Sequence, residues 1–266
     1  MCGRITLSRP NLESIASELN VSAEGCRGYP LLEAHYNIAP TSVHPILTLV
    51  DSRQRRISPM TWGSIPKNGK GLTINWRSEN FPPRAPRCAV ITDGFYEWTG
   101  PKDARQPYWF HRPDHALLMM AGLYKWQKNA DGTMMQVFII LTTRANALMA
   151  RIHHRMPVVL DDFQLDDWMA PAGNNEEALR AMLVPALDGR LAADPASPFV
   201  NSVKNEGPDL LVRSWVEGGI CLGRPGSEAN LVCRAVFERA ALSTDLEYRS
   251  LTVCGHLRRR ESCQRG

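Results

Sequence analysis

The feature that most constrains the fold of this chain is a pair of long strand-like segments joined by a turn. Residues 115–127 (HALLMMAGLYKWQ) and 133–143 (TMMQVFIILTT) are rich in apolar, β-branched and aromatic residues. Asp131 and Gly132 lie between them, and an Asp-Gly pair favours a tight hairpin turn. We therefore predict that the two segments form a β-hairpin.

Strand and helix patterns alternate irregularly along the rest of the chain. Strands are predicted at 1–9, 44–50, 87–98 (with a turn signal at Asp93-Gly94), 155–160 and 197–203. Helices are predicted at 10–20, 145–154, 163–169 and 176–187. The sequence has no regular βαβ alternation and no GxGxxG motif. These patterns predict an α+β fold with a mostly antiparallel, barrel-like sheet and peripheral helices.

Composition excludes several classes of protein and permits others. The net charge of +4 allows a nucleic-acid partner without requiring one. No run of 18 apolar residues is present, and the first ten residues, MCGRITLSRP, do not resemble a signal peptide. The seven cysteines are odd in number and include no CxxC pair, which indicates reduced thiols rather than disulfides or zinc ligands. We expect a cytoplasmic monomer without metal, cofactor or membrane contact.

The character of the sequence changes after about residue 207. Apolar residues become sparse and arginine recurs, ending in LRRRESCQRG. We predict a domain at 1–206 and a poorly ordered C-terminal extension at 207–266.

Cys2 offers the most distinctive chemistry. If Met1 is removed, Cys2 carries an α-amine with a reference pKa of about 7.7–8.0 and a thiol with one of about 8.5. Such a 1,2-aminothiol captures an aldehyde first as an imine and then as a five-membered thiazolidine. Position alone favours an incidental cysteine at the start of a strand.

Three other segments carry candidate acid–base and binding residues. Glu97 follows an apolar strand between two aromatic residues, where partial burial would raise its pKa, although a surface glutamate fits the same pattern. His153 stands at a helix-to-strand junction before Arg155, a neighbour that favours a neutral imidazole suited to acid–base work. Asn75 and Arg77, in INWRSEN, offer an amide and a phosphate-binding guanidinium.

Arg4 is two residues from Cys2, so a strand places both side chains on one face, and a phosphate bound by Arg4 would lie near the nucleophile. Trp62 is either a base-stacking residue or, more commonly for a tryptophan, part of the core.

Nine segments together resemble the SOS-response-associated peptidase (SRAP) family, which handles abasic sites. In order along about 205 residues they are MCGR (1–4), YNIAPT (36–41), WGSIP (62–66), INWRSEN (74–80), CAVITDGFYEW (88–98), PYWF (107–110), AGLY (121–124), LTTRAN (141–146) and IHHRMPVVL (152–160).

The resemblance implies a compact α+β domain with a basic groove for single-stranded DNA. It assigns Cys2 as the nucleophile that forms a thiazolidine with the ring-opened abasic sugar, and Asn75, Glu97 and His153 as its catalytic partners. It also implies that DNA is bound by Arg4 beside the nucleophile and by Arg77, and that the DNA groove is lined by Pro40, Trp62 and Thr142.

Three positions depart from the family pattern, one of them Asn80, which replaces a threonine. Trp76 replaces a small residue, so its side chain is expected either to crowd the site or to enter the core. Ser64 replaces a leucine, and no second tryptophan follows WGSIP, which predicts weaker base stacking.

Three functional hypotheses therefore remain open. The first is covalent shielding of abasic sites in single-stranded DNA, with lyase activity when the ring cannot close. The second is an autoproteolytic or peptidase activity of Cys2 with His153. The third is non-covalent binding of single-stranded DNA.

Overall fold

The computed structural model describes residues 2–26, 32–50, 54–66, 71–101, 104–129, 131–171 and 175–212. The strands are β1 Ile5–Leu7, β2 His35–Ile38, β3 Val43–Val50, β4 Gln54–Trp62, β5 Asn75–Arg77, β6 Arg87–Thr92, β7 Gly94–Thr99, β8 Gln106–His111, β9 Leu118–Lys128, β10 Met134–Arg144, β11 Arg155–Pro157, β12 Val159–Leu160 and β13 Ala192–Pro195. The α-helices are α1 Leu12–Glu18, α2 Ala147–Ala150, α3 Leu165–Met169 and α4 Glu176–Ala181. Short 3₁₀ helices lie at Glu24–Cys26, Ser78–Asn80, Asp162–Gln164, Pro198–Asn201 and Pro208–Leu211.

The eight-stranded sheet closes on itself as a barrel. The hairpin of β9 and β10 is confirmed, with Met134 opposite Lys128 and Ile140 opposite Gly122. Strand β10 also pairs in parallel with β4, and β4, β3, β6 and β9 follow one another in antiparallel pairs, which completes a ring of five strands. The predicted α+β class with a mostly antiparallel, barrel-like sheet is therefore confirmed.

A second sheet of five antiparallel strands, in the order β13-β8-β7-β1-β2, carries the N-terminal segment. The predicted strand over 87–98 is in fact two strands. Asp93 connects the barrel strand β6 to β7, which belongs to this second sheet. The Asp93 carboxylate accepts hydrogen bonds from the Thr6 hydroxyl (2.5 Å) and from the amide and hydroxyl of Ser8 (2.6 Å each). Asp93 thus fixes the N-terminal strand relative to the barrel.

Gly94 allows the close approach of two strands at this crossing. A Cβ at this position would lie 2.1 Å from the indole Nε1 of Trp109, which donates a hydrogen bond to the Thr6 hydroxyl (3.1 Å). The Asp-Gly pair was predicted to mark a turn, and its structural role is to pass the chain between two sheets without displacing Trp109.

Three elements predicted from the sequence are wrong in type or length, and one of them is the helix over 176–187, which ends at Ala181. The helix over 145–154 is limited to Ala147–Ala150, because Asn146 caps it and the chain then turns toward β11. The strand over 197–203 is a 3₁₀ helix, since Ser197 caps a segment that starts with Pro198 and proline fixes a helical φ at the first position.

The folded segment continues past the predicted boundary at residue 206. Leu210, in the 3₁₀ helix Pro208–Leu211, is buried, and its carbonyl accepts a hydrogen bond from the amide of Ser197 (3.1 Å). A boundary at 206 therefore cuts through packed structure. Residues 213–266, most of the predicted C-terminal extension, lie outside the described residues.

Candidate functional site around Cys2

Cys2 is fully buried where the N-terminal segment meets the barrel. The side-chain amide of Asn75, on the edge strand β5, donates a hydrogen bond to the Cys2 carbonyl (2.7 Å). Burial raises the pKa of the Cys2 thiol above its ordinary value, and the negative charge of Glu97 raises it further, whereas the positive chain terminus lowers it. The thiol is therefore protonated at neutral pH.

Glu97 occupies the fourth position of β7 and is only 3% exposed, so the buried alternative of the two left open by the sequence is the correct one. Strand β7 is held beside the N-terminal segment because the amide of Tyr96 donates to the Arg4 carbonyl (3.0 Å). The second sheet thus supplies a buried carboxylate whose charge acts on Cys2, while the barrel supplies Asn75.

Asn75 and Arg77 lie on the short strand β5, which pairs in parallel with β10. Asn75 is half-buried, and its Oδ1 is buried without a hydrogen-bond partner among the described residues. An unsatisfied acceptor next to Cys2 suits a ligand or intermediate that brings an N–H group. Arg77 is exposed at the end of the strand.

His153 is half-buried and His154 is exposed, and their rings stack with centroids 4.4 Å apart. His153 Nδ1 lies 3.0 Å from the amide nitrogen of Arg155, which fixes the ring at the start of β11. The pKa of His154 is lowered chiefly by the charge of His153 and also by the chain terminus and Arg77. The positive charges around the histidine pair therefore reach His154 as well.

A buried arginine clamps the segment that follows Arg77. The Arg155 guanidinium binds both carboxylate oxygens of Glu79 and donates to the Thr142 carbonyl (2.5 Å). The hydrogen bond from Arg155 and its positive charge lower the pKa of Glu79 to about 2. This ion pair joins the Ser78–Asn80 helix to β10 and β11. It could not be predicted from the sequence, because Glu79 and Arg155 are 76 residues apart.

Arg4 is half-buried and occupied by protein contacts. Its Nη1 donates to Asn37 Oδ1 (2.6 Å) and to the Val200 carbonyl (3.1 Å), and its guanidinium lies 6.0 Å from the centre of the Trp98 ring. Burial lowers the pKa of Arg4. Arg4 therefore ties the N-terminal segment to β2 and to the Pro198–Asn201 helix, a role that the sequence did not indicate.

Of the three predicted DNA-groove residues, two are fully buried and the third is half-exposed. Trp62 stacks on Phe138 (6.2 Å between ring centroids) and donates to the Ile74 carbonyl (3.0 Å), as expected of a core tryptophan. Thr142 is also fully buried, and its hydroxyl donates to the Trp76 carbonyl (3.3 Å), so it supports β5 from within. Pro40 is half-exposed and remains available to a ligand.

Trp76 neither crowds Cys2 nor enters the core. It is 40% exposed, and its indole nitrogen donates to the Asn80 carbonyl (2.9 Å). Side chains alternate along a strand, so Trp76 faces away from Asn75 and Arg77. Beyond the strand, a cavity of about 320 Å³ opens between the Ser78–Asn80 helix and α4, lined by Arg144 and Arg180 among others.

Within the described ranges, no group of three or more histidine, cysteine, aspartate or glutamate side chains is arranged to hold a metal ion. No helix in the same ranges is both long and apolar enough to cross a membrane.

Comparison with known proteins identifies the family. Residues 1–203 match the sequence pattern described as SOS response associated peptidase (SRAP). Abasic site processing protein YoqW of Bacillus subtilis (strain 168) is 32% identical over 229 residues, which cover 79% of this chain and 99% of YoqW. Abasic site processing protein HMCES of Gallus gallus is 30% identical over 221 residues, which cover 66% of this chain and 65% of HMCES.

The fold agrees with that match. A crystal structure of a protein from Bacteroides thetaiotaomicron superimposes with a TM-score of 0.69 at 22% identity, covering 80% of this chain and all of that one. A phage-related protein from Bordetella bronchiseptica superimposes with a TM-score of 0.56 at 27% identity, covering 73% of this chain and 93% of that one. The chain belongs to the SOS response associated peptidase (SRAP) family.

Proposed function

We propose that this protein recognises abasic sites in single-stranded DNA and forms a covalent thiazolidine with the ring-opened sugar through Cys2, after Met1 has been removed. The observation that carries the proposal is the convergence on Cys2 of Asn75 from the barrel and Glu97 from the second sheet. The names of YoqW and HMCES, both abasic site processing proteins, support the choice of substrate.

The first chemical step joins the amine to the aldehyde. Glu97 accepts a proton from the α-ammonium of Cys2, since a buried carboxylate is a suitable base. The neutral amine attacks C1 of the sugar aldehyde, and loss of one water molecule leaves an imine. Asn75 Oδ1 accepts a hydrogen bond from the amine and so holds it toward the aldehyde.

The second step closes the ring. Burial keeps the Cys2 thiol protonated until the imine nitrogen takes the proton held by Glu97 and becomes positively charged. The thiol then passes its own proton to the freed Glu97 carboxylate, and the positive imine favours the resulting thiolate. Sulfur then bonds to C1, and the imine nitrogen becomes the amine of the thiazolidine. Ring closure removes the imine that would promote β-elimination, so the DNA strand stays intact.

His153 and Arg77 complete the assignment. His153, half-buried and fixed at the start of β11, exchanges a proton with the ring oxygen as the sugar opens. Arg77 is exposed and binds a backbone phosphate, a contact that sets position without reading sequence. Arg4 holds the N-terminal segment in place through Nη1, and its contact with a phosphate beside Cys2 stays a prediction.

A thiol peptidase fits the same residues less well. Such an enzyme relies on a thiolate generated by a low thiol pKa or by an adjacent base. The burial of Cys2 and the charge of Glu97 both raise the pKa of its thiol, which disfavours a resting thiolate. Imine formation by the amine does not need one.

The test is to incubate the full-length protein with single-stranded DNA that contains one abasic site, followed by a denaturing gel and intact-mass analysis. We expect a heat-stable adduct whose mass is that of the Met1-free protein plus the DNA minus one water. Cys2→Ala abolishes the adduct, whereas the control Cys26→Ala, at a half-buried cysteine outside the site, forms it normally. A full-yield adduct with Cys2→Ala or with protein that retains Met1 refutes the proposal.

A further inference from the structure

Two exposed arginines, Arg77 and Arg144, have guanidinium groups that are available to bind an anion. Arg77 ends β5 and Arg144 ends β10, and the guanidinium groups of both make no hydrogen bond or ion pair with any described residue. By contrast, Arg155 and Arg180, which lie nearby, are engaged with Glu79 and Glu176. A basic surface side chain without an internal partner is available to bind an anion.

The register of the sheet places Arg77 and Arg144 on one face. Thr142 pairs with Arg77 in the parallel ladder, and Arg144 is two residues further along β10, so their side chains project to the same side. Asn75, which contacts Cys2, shares that face with Arg77. Standard strand geometry separates the Cα atoms of the two arginines by about 8 Å along the diagonal.

The charges around these arginines favour an anion. Glu79 is the nearby carboxylate, and it is committed to Arg155 through a bidentate contact. The pKa of His154 is lowered chiefly by His153, and Arg77 contributes to the same shift, so the positive charge of Arg77 reaches the histidine pair. Arg144 also lines the cavity of about 320 Å³ next to the Ser78–Asn80 helix, so the basic surface continues away from Cys2.

We infer that Arg144 binds the DNA phosphate adjacent to the one bound by Arg77, so that the single strand leaves the abasic site along the end of β10 in one fixed direction. The inference rests on the proposed function. The two side chains are long enough to match successive phosphates of an extended single strand, whose spacing exceeds the rise of about 3.4 Å per nucleotide in a stacked duplex strand. Phosphate contacts would then continue on one side of the lesion beyond Arg77.

The experiment uses single-stranded oligonucleotides that contain a tetrahydrofuran abasic analogue, which has no aldehyde and cannot be crosslinked. In a series of these oligonucleotides, one phosphodiester at a time is replaced by an uncharged methylphosphonate on either side of the analogue. Affinities are measured for the full-length wild type and for Arg144→Gln, Arg144→Lys and Arg77→Gln. Arg56→Gln is the control, because Arg56 is an exposed arginine on β4, several residues from the β4–β10 contact.

We expect wild-type affinity to fall about tenfold when either of two adjacent phosphates on one side is neutralised, because a hydrogen bond to a charged group is lost. In Arg144→Gln, neutralising one of these two phosphates no longer changes the affinity. The slope of log affinity against log salt falls by about 0.7, which corresponds to one phosphate contact on a single strand. Arg144→Lys retains the slope, and Arg56→Gln resembles wild type.

An Arg144→Gln protein with wild-type slope and both sensitive positions intact overturns the inference, as does a wild type without two adjacent sensitive phosphates. Crosslinking of true abasic DNA is scored separately with wild type. If wild type shows the two-phosphate pattern but forms no adduct, the proposed function fails while the assignment of Arg144 stands.

Discussion

Replacing Glu79 by glutamine tests whether the clamp on Arg155 stabilises the fold through charge. The pKa of Glu79 falls from 4.5 to about 2 in the folded protein, and one pKa unit corresponds to about 1.4 kcal/mol. If the whole pKa shift contributed to stability, it would add about 3 kcal/mol to the free energy of unfolding. The Glu79 side chain is 56% exposed, so solvent screening reduces the expected loss in unfolding free energy to about 1–2 kcal/mol at pH 7.

The sign of the pH dependence follows from the lowered pKa. The folded state holds the proton less tightly than the unfolded state, so the stabilisation is complete above the unfolded value of 4.5 and is lost as pH falls toward 2. The difference between wild type and Glu79→Gln should therefore be largest at pH 7 and should shrink by at least about half at pH 3.

Urea unfolding followed by tryptophan fluorescence at both pH values measures this difference. Glu176→Gln is the matched control, because Glu176 forms an exposed i,i+4 pair with Arg180 that contributes no more than about 0.5 kcal/mol. A Glu79→Gln variant no less stable than Glu176→Gln at pH 7 would refute the reasoning. So would a loss of equal size at pH 3, since it would then come from packing.

Three further outcomes are expected. Glu97→Gln should slow adduct formation about 10²–10⁴-fold in a single-turnover gel assay, with little change in affinity for the strand that contains tetrahydrofuran. A rate of adduct formation within about threefold of wild type would contradict the role of Glu97 as the base. Cys2→Ser without Met1 should nick abasic DNA by β-elimination, because the imine forms but no thiol closes the ring; an intact strand would contradict imine formation. Truncation after Val212 should preserve crosslinking. Truncation after Glu206 removes the buried Leu210 and should lower the free energy of unfolding, measured in urea, by about 2–3 kcal/mol. Equal stability of the two truncated proteins would contradict the packing of Leu210.

The sequence predicted those parts of the fold that depend on local pattern. The β9–β10 hairpin follows from two apolar runs around Asp131-Gly132, and the first helix follows from the spacing of its apolar residues along one face. Closure of the barrel does not follow, because a period of two residues shows which face of a strand is apolar and not which strand is its neighbour. The transfer of the chain between sheets at Asp93 was missed for the same reason.

Prediction of the site failed where burial decided the role of a residue. The sequence places Trp62 beside a glycine turn but does not show that its ring stacks on Phe138 inside the barrel. The aromatic residues on both sides of Glu97 left a partly buried and a surface glutamate equally possible, and the structure shows that it is buried. Glu79 was missed because its partner Arg155 is distant along the chain, and Arg144 was missed because no local pattern distinguishes an unpaired arginine from a paired one.

The complete enclosure of Cys2 has a consequence for the order of events during synthesis. An aminopeptidase that removes the initiator methionine must draw an extended chain into its own active site, and a fully enclosed second residue cannot be reached in that way. Excision of Met1 should therefore occur on the ribosome or soon afterwards, before β1 docks onto β7. Protein that folds first is expected to keep its methionine and remain inactive, so the ratio of excision rate to folding rate would set the active fraction of each preparation.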